Sequence, residues 1–165
     1  MKYILTWKCN MNLASKGGQS IFLAEDDHDD VYLFNNALGK LELNHQLTVF
    51  GNGVELMNGL EGISPALPDI IFIDINMPVK NGLDALKEIR EKFSARLPVF
   101  LFSTTGDRVT VEQARKLGAT GYLSKPKSTR DLEDLLLKVL SVNWQSRSVH
   151  DFYVHLQVAD LNQKV

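Results

Sequence analysis

The chain has 165 residues, of which 44% are hydrophobic, so its length and composition suit one domain with a buried core. Its net charge of −2 argues against a nucleic-acid scaffold and against attraction to an anionic membrane, and no apolar run approaches the length of a membrane span. The single cysteine, Cys9, excludes an internal disulfide, and the lack of clustered Cys and His excludes a zinc site, so a soluble protein in a reducing, cytoplasmic setting is expected.

The predicted elements form an alternating series of strands and helices. Residues 1–19 show no sustained hydrophobic period and are expected to form a flexible N-terminal lead. From Ile21 onward, short apolar runs alternate with stretches of helical period, which is typical of a parallel sheet flanked by helices. Three unbroken apolar runs predict central strands: 21–24, 70–73 and 99–102. Two runs of mixed polarity predict edge strands: 45–50 and 120–124. Edges at the second and fifth positions predict a doubly wound α/β fold, with a five-stranded parallel sheet in the order 2-1-3-4-5.

The intervening helices are marked by capping side chains and apolar stripes. Three residues each precede an acid by three positions and predict the starts of the second, third and fifth helices: Asn52, Asn81 and Ser128. The fourth helix, near Asp107 to Leu117, has the weakest apolar stripe, which makes it a candidate mobile element. Residues 143–165 are too few for a second core, so they are expected to form a C-terminal tail without a separate output domain.

Polar side chains follow four of the predicted strands. They are Glu25, Asp26 and Asp27 after the first strand, Asp74 and Asn76 after the third, Ser103, Thr104 and Thr105 after the fourth, and Ser124 and Lys125 after the fifth. In an open parallel sheet these ends meet at one rim, where ligands bind. Glu25, Asp26 and Asp74 would repel one another there, and a divalent cation resolves that conflict. Oxygen ligands combined with water and a phosphoryl group favour Mg²⁺ over Ca²⁺.

A lysine and a hydroxyl at the same rim supply the donors that hold an anionic group. Lys125 and Ser103 therefore predict a bound phosphoryl group. Asp74 is the best candidate nucleophile, because a carboxylate can form an acyl phosphate. Acids also suit the positive end of a helix dipole, so Asp29 and Asp30 are predicted to be solvated first-turn residues. Asp27 is explained equally well as a helix cap or as part of the site.

These segments together resemble the receiver domain of the two-component response regulator family. The resemblance covers residues 20–142, and its specificity comes from four motifs in order: Ile21 to Asp27, Asp69 to Gly82, Pro98 to Ser103 and Gly121 to Pro126. It implies a flavodoxin-like (βα)5 fold and a stand-alone, single-domain regulator, with residues 1–19 and 143–165 flanking the receiver domain.

The resemblance also implies the chemistry of the rim. Asp74 would be the phosphoacceptor, taking a phosphoryl group from a histidine kinase or a histidine phosphotransfer protein in a Mg²⁺-dependent reaction. The implied metal ligands are Glu25, Asp26, Asp74 and the backbone carbonyl of Asn76. Lys125 would contact the phosphoryl oxygens.

A conformational switch is implied as well. Ser103 would be the switch hydroxyl, in place of the commoner Thr, and Tyr122 the switch aromatic, which swings inward. Asn76 and Thr105 would influence the lifetime of the acyl phosphate. The face made by the fourth helix, fifth strand and fifth helix would then signal to a downstream protein target, by homodimerisation, or by passing the phosphoryl group onward.

Two other functions stay open. A degenerate receiver would be an interaction module that works without phosphorylation. A metal-dependent phosphatase of the haloacid dehalogenase type also places an aspartate at a strand end, but it normally needs a second acid two residues later, where this chain has Asn76. The chain is therefore expected to be a signalling protein and not an enzyme, assisting only its own phosphorylation and dephosphorylation.

Overall fold

The computed structural model describes residues 3–7, 18–64 and 66–156, and within them a single sheet carries five α-helices. The strands are β1 (Tyr3–Trp7), β2 (Gln19–Ala24), β3 (His45–Phe50), β4 (Ile70–Asp74), β5 (Val99–Ser103), β6 (Gly121–Ser124) and β7 (Tyr153–His155). The helices are α1 (His28–Gly39), α2 (Gly53–Ile63), α3 (Gly82–Lys92), α4 (Arg108–Lys116) and α5 (Thr129–Leu140), followed by a 3₁₀ turn (Trp144–Ser146). None of the described helices has the length and apolar character that a membrane span requires.

The predicted five-stranded parallel sheet is confirmed. Its strands lie in the order β3-β2-β4-β5-β6, which is the predicted order 2-1-3-4-5, and each neighbouring pair is parallel. The crossovers between them are the helices, as the alternating pattern requires. All carboxyl ends of these five strands therefore meet at one edge of the sheet, which we call the site rim.

The prediction that the second and fifth strands are edges is wrong. β1 pairs antiparallel with β3, and β7 pairs parallel with β6, so both predicted edges are interior strands. The glycine in β6 reflects close packing: a Cβ on Gly121 would lie 2.5 Å from the carbonyl oxygen of Tyr153 and 2.7 Å from the ring of Phe100. Of the predicted lead (1–19), the structure describes β1 and residues 18–19. The other residues of the lead, and residues 157–165 of the predicted tail, lie outside the described part of the chain.

The capping side chains set the helix starts as predicted. Asn52, Asn81 and Ser128 each accept hydrogen bonds from backbone N–H groups in the first turns of α2, α3 and α5. Asp107 caps α4 in the same way. These contacts fix where each helix leaves the rim, and so they fix the loops that carry the site.

Two apolar layers hold the helices against the sheet. α2, α3 and α4 cover one face, and α1 and α5 cover the other. The α5 stripe from Leu132 to Leu140 is buried as its period predicts, whereas α4 buries only Ala114. The weak stripe of α4 is thus confirmed, and its mobility stays a prediction.

Candidate functional site

The site rim gathers the predicted polar residues because neighbouring parallel strands end there together. The backbone N–H of Lys125 donates to the carbonyl of Ser103 at 2.7 Å, and the N–H of Glu25 donates to the carbonyl of Phe50 at 2.9 Å. These bonds continue the sheet ladder past the strand ends. Backbone pairing therefore holds Glu25 and Lys125 just past β2 and β6, while Asp74 and Ser103 are the last residues of β4 and β5.

Three carboxylates form a cluster at this rim. One oxygen each from Glu25, Asp26 and Asp74 lies within 4.8 Å of the others. Glu25 and Asp74 are buried and Asp26 is exposed, so the cluster opens to solvent on one side. Carboxylate oxygens without nitrogen or sulfur donors fit a hard divalent cation such as Mg²⁺. The carbonyl of Asn76 stays a predicted fourth ligand, and its N–H donates to Oδ2 of Asp74 at 2.6 Å.

Lys125 reaches across the rim and contacts three acids at once. Its Nζ lies 2.6 Å from Oε2 of Glu25, 2.7 Å from Oδ1 of Asp74 and 2.7 Å from Oδ2 of Asp30. Its side chain is 10% exposed, and Nζ lies 5.6 Å from the centre of the Phe102 ring. One ammonium therefore faces more negative charge than it can neutralise, which favours binding of a further cation.

Burial and pairing act in opposite directions on the acid and the base of this contact. Burial raises the pKa of the Glu25 carboxyl to about 7, although the hydrogen bond and the charge of Lys125 both lower it. Burial alone would lower the pKa of Lys125, but its hydrogen bonds to Asp30, Asp74 and Glu25 outweigh burial and raise that pKa. Lys125 is therefore a fixed positive charge at neutral pH.

Asp30 was predicted to be a solvated first-turn residue, and the structure contradicts this. Its side chain points to the rim and pairs with Lys125. Asp27 is the cap of α1, since one of its oxygens accepts from the N–H groups of Asp29 and Asp30. In the sequence, the only feature that marks Asp30 is its position in the first turn of α1, which starts at the rim. The helix-dipole argument applies to any acid in that turn and could not single it out.

The predicted switch residues are linked through Thr105. The hydroxyl of Ser103 is fully buried and lies 3.3 Å from the hydroxyl of Thr105, whose N–H also donates to it. The Tyr122 hydroxyl donates to the carbonyl of Thr105, and the ring is fully buried. Tyr122 thus already occupies an inward position, and Thr105 joins it to Ser103.

The loop after Asp74 is tightly built. A Cβ on Gly82 would lie 2.3 Å from the carbonyl oxygen of Asp74, so only glycine lets α3 start this close to β4. Val79 adopts a φ of +66°, which is rare for a β-branched residue, in a turn closed by a bond from the Lys80 N–H to the Pro78 carbonyl. This loop presents Val79 to solvent beside the rim.

The arrangement can hold a cation and orient a carboxylate toward an anionic group. Asp74 lies in the carboxylate cluster that could hold a metal ion and beside a charged donor, Lys125, and a phosphoryl acceptor needs both features. Asn76 stands where a hydrolytic phosphatase of the aspartate type needs its acid.

Comparison with known proteins gives one consistent result. The family model of the response regulator receiver domain matches residues 21–137. YvfU, an uncharacterized transcriptional regulatory protein of Bacillus subtilis (strain 168), is 34% identical over 119 residues, which make up 72% of this chain and 57% of that protein. The chain thus spans less than two thirds of that relative.

Two solved structures share the fold over most of their length. The phosphorylated cyanobacterial phytochrome response regulator RcpA is 28% identical with a TM-score of 0.68, covering 78% of this chain and 95% of its own. The Mn²⁺-bound form of response regulator Rcp1 is 25% identical with a TM-score of 0.67, covering 79% and 97%. A phosphorylated protein and a metal-bound protein are therefore among the structures that this chain is similar to.

Proposed function

This chain belongs to the response regulator receiver family, and from that premise we propose that it accepts a phosphoryl group on Asp74 in a Mg²⁺-dependent reaction. The observation that carries the proposal is the environment of the Asp74 carboxylate. It lies within 4.8 Å of Glu25 and Asp26 oxygens, and its Oδ1 lies 2.7 Å from Nζ of Lys125.

The donor would be a phosphohistidine of a histidine kinase or of a histidine phosphotransfer protein. An oxygen of Asp74 attacks the phosphorus, the phosphorus–nitrogen bond breaks, and the neutral imidazole leaves with the bonding pair after protonation. The product is an acyl phosphate. Later attack by water on the phosphorus releases inorganic phosphate and restores the Asp74 carboxylate, so the chain acts only on its own phosphoryl group.

The residues of the rim share the work of this transfer. Glu25, Asp26 and Asp74 would hold the ion, together with the Asn76 carbonyl, and Mg²⁺ would supply charge neutralisation for the phosphoryl oxygens. Lys125 would donate to a phosphoryl oxygen. The bond from the Asn76 N–H holds Oδ2 of Asp74, which leaves the other oxygen toward Lys125.

Ser103 would report the phosphoryl group to the rest of the fold. Its hydroxyl would turn to donate to a phosphoryl oxygen, and this would change its contact with the Thr105 hydroxyl. A shift of Thr105 would in turn change the hydrogen bond that the Tyr122 hydroxyl donates to the Thr105 carbonyl. Because Tyr122 is already buried, we expect phosphorylation to rearrange this link without a large movement of the ring and to shift the population between two arrangements of α4.

The response would leave through α4, β6 and α5. β7 covers the outer edge of β6, and Phe152 and Leu156 pack against the apolar layer that contains Tyr122. A downstream protein or a second copy of the chain would therefore meet α4, β7 and α5. Because α4 packs on the same apolar layer, a movement of α4 would change the packing of Phe152 and Leu156.

The experiment is to incubate the protein with acetyl phosphate and Mg²⁺ and to measure its intact mass. We expect a gain of one phosphoryl group that EDTA prevents and that Asp74→Asn abolishes. Asp69→Asn is the matched control, because Asp69 precedes the opposite end of the same strand, far from the rim. A folded wild type without the mass gain would favour the interaction module, and steady turnover of a chromogenic phosphate ester would favour a phosphatase.

A further inference from the structure

Asp30 is the acid at the site rim to which the proposed function assigns no role. It is outside the metal-binding group of Glu25, Asp26 and Asp74, and it comes from the first turn of α1. It nevertheless makes a contact with Lys125 as short as that of the phosphoacceptor, 2.7 Å in both cases. A side chain that contacts the same ammonium as the phosphoacceptor can influence the reaction without touching the phosphoryl group.

The ammonium of Lys125 has no donor to spare. A lysine has three N–H bonds, and the structure supplies three carboxylate acceptors, from Glu25, Asp30 and Asp74. A phosphoryl group on Asp74 brings new oxygens with a stronger charge to the same ammonium. Those oxygens must share Lys125 with the acids that already hold it, and the contact with Asp30 is the one that lies nearest to solvent.

Exposure separates Asp30 from the other two acids. Its side chain is 35% exposed, against 3% for Glu25 and 7% for Asp74. Water can replace Lys125 at Asp30 when the ammonium moves, whereas the buried Glu25 has no such replacement. Asp30 also keeps its own negative charge close to the incoming phosphoryl oxygens, which repels them.

On these observations, and resting on the proposed function, we propose that Asp30 is a positioning residue that competes with the phosphoryl group for Lys125 and thereby limits the stability of the phosphorylated state. Removing its charge would leave the ammonium free to turn fully to the phosphoryl oxygens. The acid would thus set how readily the site gives up its phosphoryl group.

The test is the affinity for beryllofluoride, a phosphoryl analogue, measured by calorimetry at saturating Mg²⁺ for the wild type, Asp30→Asn, Asp30→Glu and Asp29→Asn. We expect Asp30→Asn to bind roughly three- to tenfold more tightly, as loss of one partly screened charge predicts. The gain should shrink in high salt. Asp30→Glu restores the charge and should stay within about twofold of the wild type, as should Asp29→Asn, which makes the same charge change in the same turn.

The outcomes separate this inference from the proposed function. Equal or weaker binding by Asp30→Asn, with a wild type that binds beryllofluoride, overturns the competition and leaves the proposed function intact. A shift in the unfolding midpoint without a change in affinity means a structural ion pair and also overturns it. If the folded wild type binds no beryllofluoride in Mg²⁺, the proposed function and the inference fail together.

Discussion

Two lysine–carboxylate clusters on this molecule look alike in distance and differ in burial. The rim cluster joins Lys125 to Glu25, Asp30 and Asp74 at 2.6–2.7 Å. The α2–α3 cluster joins Lys92 to Glu61 at 2.7 Å and to Glu88 at 2.8 Å, and Lys80 also pairs with Glu88. The Lys125 side chain is 10% exposed and that of Lys92 is 47% exposed. Contact distance alone would not tell the buried cluster from the solvated one.

Burial is what gives the rim cluster its consequences. Water competes for every partner of Lys92, so each pair adds little and responds to salt. Around Lys125 the buried acids have no comparable substitute, so the cluster carries excess negative charge, which protonation of Glu25 or binding of another cation would relieve. The same pairing of lysine with carboxylates is therefore a solvated surface network in one place and a candidate ligand site in the other.

The largest effect that sharpens this comparison is expected for Lys125→Met. The change leaves Glu25 and Asp74 buried without their ammonium, and we expect a loss of about 3 kcal/mol in the free energy of unfolding in EDTA. Urea unfolding measures it. Mg²⁺ should recover part of the loss, because the ion would neutralise the same carboxylates.

Lys127→Met is the control for this change, since Lys127 is exposed and lies two residues further along the chain. It removes the same charge from the same loop and should leave the unfolding midpoint in place. An equal loss for both variants would mean that the net charge of the chain, and not the buried contacts, sets the effect.

Glycines in the two regions offer an intermediate contrast. Gly82→Ala forces a Cβ to within 2.3 Å of the Asp74 carbonyl oxygen, and backbone cannot rotate away, so we expect a loss of about 2 kcal/mol and slower phosphorylation by acetyl phosphate. Gly62→Ala, on the α2 surface, meets nothing within 4 Å and should gain about 0.5 kcal/mol from helix propensity. Thermal unfolding of both variants measures the difference, and a neutral Gly82→Ala would show that α3 can move away from β4 freely.

The smallest effect is expected for Lys92→Met. It removes a lysine with two close acidic partners, as Lys125→Met does, yet from a solvated surface. The urea midpoint and the yield of phosphorylated protein should both match the wild type at moderate salt. A loss comparable to that of Lys125→Met would break the comparison, because burial would then not be the property that distinguishes the clusters.

The order of the central strands was predictable because hydrophobic periodicity identifies those strands and topology restricts how they can be arranged. Unbroken apolar runs mark strands covered on both faces, and right-handed crossovers leave few possible orders. β7 was not predictable in the same way. It is three residues long, Tyr153–His155, and its place depends on the absent side chain of Gly121 and on packing of Trp144 between Phe100 and Tyr153.

At the rim, sequence reasoning found the residues that strand ends position and missed the one that a helix positions. Asp74 ends β4 and Lys125 directly follows β6, so their convergence follows from a parallel sheet. The position of the Asp30 side chain depends on the direction in which α1 leaves its Asp27 cap, and the packing of the folded chain determines that direction. Likewise, the contact of the Tyr122 hydroxyl with the Thr105 carbonyl involves a backbone atom, and residue type carries no signal for it.

The missing side chain of Gly121 has a consequence beyond packing. By letting the Tyr153 N–H reach the Thr120 carbonyl at 3.0 Å, it allows β7 to close a row of hydrogen-bonding groups that β6 would otherwise present to solvent. Open rows of this kind are templates on which sheets from separate molecules join and aggregate. β7 thereby becomes the edge of the sheet on this side, and its three residues offer a shorter open row than the four of β6 would.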